Sequence, residues 1–153
     1  MAAEPQSNSY PEIPAEWADL DRDGVLDELA KRGRNATTYL AVARWLDVNG
    51  FPDQSYYYYS MAIGQTGAHV GTFGRFFERA FGDGAYLMAQ FVAKEAVRRF
   101  QKEPRPWLWM ARASAALGDK AMYDQALDKA IGLKIATVEV DLVRQHTEHF
   151  FKK

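Results

Sequence analysis

"PWLWMARASAALGDKAMYDQALDKAIGL", residues 106–133, holds two helical runs joined at Leu117-Gly118-Asp119. Trp107 and Met110 lie eleven and eight residues before Gly118, and Ala130 and Ile131 lie twelve and thirteen after it. The same pattern occurs 34 residues earlier as Phe73, Phe76, Gly84, Ala96 and Val97. Another 34 residues back it reads Tyr39, Val42, Gly50, Ala62 and Ile63. A helix of about a dozen residues, a tight turn and a second such helix occupy about 34 residues. Glycine suits the turn, because it alone adopts a left-handed backbone at no steric cost. The alanine lets the paired helices approach near the short end of the usual spacing, about 8 Å. One hairpin cannot bury its apolar face alone, so three of them predict a stack.

Working outward, the 153-residue chain is 48% hydrophobic and 25% charged, ordinary values for a soluble globular protein. Its net charge of −1 gives no electrostatic case for a nucleic-acid or acidic-lipid partner. It has no cysteine, which removes disulfides, thiolate metal sites and cysteine nucleophiles. No signal-peptide pattern or membrane-spanning apolar run is visible, so a cytoplasmic protein without membrane insertion is expected. "MAAEPQSNSYPEIPAE", residues 1–16, has three prolines and few large apolar residues, and reads as a disordered arm. Residues 17–153 read as a single helical domain, with repeats at about 36–69, 70–103 and 104–136. Val138, Leu142, Val143, His146 and Phe150 continue at helical spacing, so 137–151 is expected to be a capping helix with Thr137 as its N-cap.

The repeat resembles the tetratricopeptide repeat (TPR) family. Trp107, Gly118, Asp119, Leu127 and Ala130 stand where that family has its aromatic, turn pair, large apolar and small residues. The first unit, "TYLAVARWLDVNGFPDQSYYYYSMAIGQ", keeps Tyr39, Ala43, Gly50, Tyr59 and Ala62. The middle unit, "FGRFFERAFGDGAYLMAQFVAKEAVRRF", is more degenerate and places Phe77 where the family prefers a small residue. The family's closing proline is replaced by Gly67, Gln101 and Ile135. The resemblance covers Ala36 to Ile135 and implies an all-α, TPR-like solenoid of three hairpins, with a helix before it and a capping helix after it. It further implies a non-enzymatic adaptor or chaperone, binding a partner peptide or helix in a concave groove lined by the first helix of each unit. The size, arm and closing helix are similar to those of small chaperones of bacterial type III secretion translocators.

Carried over by position, the groove would use Leu40, Arg44 and Asp47, then Gly74, Glu78 and Phe81, then Arg105, Leu108 and Arg112. Thr37, Val48, Gly71, Gly82, Ala115 and Ala116 stand at the flanking positions. The arginines could hold a carbonyl or carboxylate, or simply form a solvated face. "YYYY", Tyr56 to Tyr59, spans a helical turn and cannot all face inward. Tyr59 matches the core position, and Tyr56–Tyr58 either pack on the N-terminal helix or offer a self-association surface.

Two other function classes compete. "DLDRDGVLDELA", residues 19–30, puts Asp19, Asp21, Asp23 and Asp27 at the first, third, fifth and ninth places of a calcium loop. Ala30 stands at the twelfth place, where that loop needs a bidentate glutamate. A calcium-binding regulatory protein is therefore weighed against a plain helix "GVLDELAKRG" with Asp23 as N-cap. Calcium is the one cofactor suggested. An unrecognised helical enzyme would have to rest on His69, or on His146 and His149 beside Asp141 or Glu148. No HExxH spacing or phosphate-binding glycine loop supports that reading.

Overall fold

The computed structural model describes residues 13–152. Among them it is all helical, without a strand. A 3-10 turn at Ala15–Asp19 leads into α1 (Arg22–Arg32), α2 (Ala36–Val48), α3 (Pro52–Ile63), α4 (Val70–Gly82) and α5 (Tyr86–Arg99). Then come α6 (Arg105–Ala116), α7 (Lys120–Gly132), α8 (Thr137–Thr147) and a closing 3-10 turn at Glu148–Phe150. The helices around the three glycine turns keep the 34-residue register: α2, α4 and α6 end at Val48, Gly82 and Ala116, and α3, α5 and α7 begin at Pro52, Tyr86 and Lys120.

The three turns share one hydrogen-bonding scheme. Gly50, Gly84 and Gly118 have φ of 91°, 77° and 77°. The amide one residue after each glycine donates to a carbonyl five residues back: Phe51 to Leu46 at 2.9 Å, Ala85 to Ala80 at 2.9 Å and Asp119 to Ser114 at 2.8 Å. This is the Schellman arrangement, which satisfies carbonyls that a helix end otherwise leaves unpaired. A Cβ added at any of the three glycines would meet nothing within 4 Å. The glycines are thus required by backbone conformation and not by crowding.

The contacts group into two compact units, Met1–Thr72 and Phe73–Lys153, with the boundary inside α4. Helical hairpins touch mainly their sequence neighbours, so contacts group locally. In the first unit α2 and α3 form a hairpin, with Trp45 stacked on Phe51 at 6.1 Å and Ala62 fully buried. α1 packs on α2, and Arg22 on α1 donates to Gln54 on α3 at 3.1 Å. In the second unit α4 and α5 are pinned at one end by Phe81 with Tyr86 at 5.2 Å and at the other by Phe73 with Phe100 at 5.3 Å. α6 packs on both α5 and α7, and α8 packs on α6 and α7. Ala96 and Ala130 are fully buried. The predicted small positions thus lie inside in all three hairpins.

Three local expectations are corrected. Asp21, not Asp23, caps α1: its carboxylate accepts from the Gly24 amide at 2.8 Å, and Asp23 falls in the first turn. The 3-10 turn delivers the chain to the helix two residues earlier than the sequence pattern suggests. Ala136, with no side-chain bond, is the N-cap of α8, and Thr137 is its first residue. Of the arm expected over 1–16, residues 1–12 lie outside the described residues, while Ala15 and Glu16 are helical. The side chain of Glu16 pairs with Arg32, which draws that turn onto α1.

Candidate functional site

The first-helix positions in the second unit build one defined polar and aromatic site. Glu78 on α4 and Arg112 on α6 are a single repeat apart, and their side chains form a two-pronged ion pair at 2.7 and 3.0 Å. The Arg112 guanidinium also lies over the rings of Phe77, at 5.0 Å, and Phe81, at 4.7 Å. Phe77 in turn stacks on Trp109 at 5.7 Å, with the planes 17° apart. The guanidinium is flat and weakly hydrated, so it can rest on rings and hold a carboxylate at its edge at the same time. Glu78 remains 56% exposed and Arg112 only 24% exposed. The carboxylate rim of this shelf therefore faces solvent and its aromatic floor is inside.

Phe81 marks the edge of the shelf. Around it lie Tyr86 at 5.2 Å and Phe150, from the closing 3-10 turn, at 6.4 Å. Phe150 is also 5.9 Å from Tyr86 and stands edge-on to both rings. Arg105, at the far end of α6, is exposed and reaches Glu139 on α8 at 3.6 Å.

The remaining groove positions are used otherwise. Leu40, Gly74 and Leu108 are buried. All three pack in the interior of their own units. Positional analogy fixes the side of a helix, while burial depends on what else covers that side. Asp47 is committed to its own hairpin, since its carboxylate accepts from the Tyr59 hydroxyl at 2.7 Å. Arg44 is half-buried on α2. An open cleft in the first unit is lined by Arg34, Asn35, Thr37, Gln65 and Thr66 at the start of α2 and the loop after α3.

Within the tyrosine run, Tyr59 is buried as expected and Tyr57 is 62% exposed. Tyr58 is half-buried between Tyr57 at 4.9 Å and Tyr39 at 6.4 Å, and burial pushes its hydroxyl pKa up. Tyr57 is thus the member of the Tyr56–Tyr58 group that presents most surface to a second molecule.

The acidic quartet is dispersed. Asp19 ends the 3-10 turn, Asp21 caps α1, Asp23 meets Arg22 at 3.3 Å, and Asp27 is an exposed mid-helix residue. Among the described residues no group of three or more His, Asp or Glu side chains is placed to hold a metal ion. Glu28, absent from the expected calcium ligands, has the clearest electrostatic role nearby. Its carboxylate accepts from Arg32 at 2.9 Å and from the Trp17 indole at 3.2 Å. The hydrogen bond from Arg32 is the main reason its pKa is lowered. His69 accepts from the Gly71 amide at 3.2 Å, His146 is exposed on α8, and His149 lies against Phe150 at 4.0 Å.

No sequence signal pointed to Phe150 as a neighbour of Phe81, because a contact between residues so distant in the chain leaves no local pattern. Among the described residues no helix is long and apolar enough to cross a membrane. Comparison of the chain with family models, curated proteins and solved structures returns no match.

Proposed function

We propose that this chain is a non-enzymatic protein-interaction module of the tetratricopeptide-repeat kind, an adaptor or chaperone. It takes a peptide or helix of a partner protein on the first-helix face of its second unit. The observation that carries this reading is the shelf of Arg112, Glu78, Phe77, Phe81 and Trp109. Binding hot spots favour such a composition: aromatic rings and arginine held rigid, with polar groups at the rim. The reading requires no cofactor and assigns no chemistry to the protein itself.

A photo-crosslinking amino acid placed at Glu78 should capture a partner in the native cell, and one placed at the exposed Asp124 on α7 should not. Arg112→Gln should lower that capture about tenfold or more, the effect of losing a hot-spot contact. Its melting temperature should stay within a few degrees of the wild-type value. Equal capture at Glu78 and Asp124, or capture indifferent to Arg112→Gln, would remove this face from consideration.

A further inference from the structure

The closing turn of the chain sits on the proposed interaction face, and the way it is held distinguishes an anchor from a movable part. The anchor is Thr147. It is buried, its hydroxyl lies 2.8 Å from the Tyr123 hydroxyl, and it donates to the Val143 carbonyl at 2.6 Å. Together with buried Val140 and Val143, it fixes α8 through to its last residue. Beyond Thr147 the helix tightens to a three-residue 3-10 turn with no side-chain cap and no buried residue. Glu148, His149 and Lys152 are exposed.

What docks this segment is a pair of half-buried rings. Phe151 stands edge-on to Tyr123 at 5.0 Å with Lys120 over it at 5.3 Å, and so stays with the third hairpin. Phe150 reaches the second hairpin, edge-on to Phe81 and Tyr86. Ala115, one repeat after Phe81, carries only a methyl group, so the end of α6 places no ring between Phe81 and Phe150. A three-residue turn with no buried residue, docked through half-buried rings, opens more readily than the helix it extends.

We infer that Phe81 and Tyr86 form a receptor for one aromatic side chain, and that Phe150 of this chain fills it until an aromatic residue of the partner takes its place. The inference rests on the proposed interaction face and names the chemistry that face selects. The partner segment carries a phenylalanine, tyrosine or tryptophan that lands beside Arg112, whose guanidinium already lies 4.7 Å from the Phe81 ring. Such a segment competes with Phe150 of the chain itself, so its apparent affinity falls by the fraction of time the receptor is open.

The test uses the full chain and N-acetyl-phenylalaninamide as probe, followed by ligand-observed NMR. Phe150→Ala should bind the probe about tenfold more tightly than wild type, as expected where an internal competitor has been removed. Phe151→Ala should show no such gain, and Phe81→Ala combined with Phe150→Ala should lose the binding. In the wild-type protein, amides of residues 148–152 should exchange at least about a hundredfold faster than those of Val140–Thr147. Equal probe affinity in wild type and Phe150→Ala overturns the inference. So does exchange in 148–152 as slow as in α8, since the turn would then be a permanent part of the fold. Because the probe needs no natural partner, these results can fail while the cross-link at Glu78 succeeds, and the reverse.

Discussion

Glu28 shows how much a single side chain can organise. One carboxylate oxygen receives both the Trp17 indole and the Arg32 guanidinium, and Lys31 approaches the other oxygen at 3.5 Å. Arg32 also covers the Trp17 ring at 5.6 Å. The lowered pKa of Glu28 means that the folded state prefers the ionised form. The contribution is therefore fully present above the ordinary glutamate value of 4.5 and is lost as pH falls through the lowered value. Glu28→Gln should give a melting temperature that depends less steeply on pH below about 4.5 than wild type does. Trp17 fluorescence in the variant should change less on acidification. Parallel acid profiles for the two proteins would count against this role. The acids around Glu28 could be recognised in the sequence, but their roles could not. Asp21 and Asp23 are both good caps, and the choice depends on where the preceding 3-10 turn delivers the chain.

At the scale of elements, the turns were readable and their surroundings were not. Gly50, Gly84 and Gly118 declare themselves in the sequence because the left-handed backbone they adopt penalises other residues. The buried alanines Ala62, Ala96 and Ala130 were likewise visible as small residues recurring at the helix–helix approach. Burial of Leu40 and Leu108 was not, because a helix pattern does not reveal which apolar side a neighbouring helix will cover. The contact of Phe150 with Phe81 was hidden because the two residues lie far apart in the chain. The second and third turns also differ where their backbones agree. Asp119 caps α7 by accepting from the Met122 amide at 3.0 Å, whereas Ala85, at the equivalent position before α5, has no side-chain cap bond. The backbone angles at the two sites are close, φ −91° and ψ 84° against φ −84° and ψ 68°. Ala85→Asp should therefore add a cap and stabilise the protein by about 1 kcal/mol. Urea unfolding would measure it, and an unchanged midpoint would mean the equivalence of the two turns does not extend to their side chains.

At the scale of the whole molecule, the 34-residue register divides residues 36–136 into three lengths of nearly equal size, with α1 before them and α8 after. Each length reverses direction at its glycine, where the next residue donates to a carbonyl five residues back. Stretched from its two ends in an optical trap, such a chain has a natural quantum of extension. Each hairpin that gives way releases 34 residues, about 110–120 Å of contour at the full reach of a polypeptide. Ruptures should cluster at that increment and its multiples, and one undivided rupture of the entire chain would refute the expectation. A protein graduated in this way yields to tension as a ruler unfolds, one segment at a time.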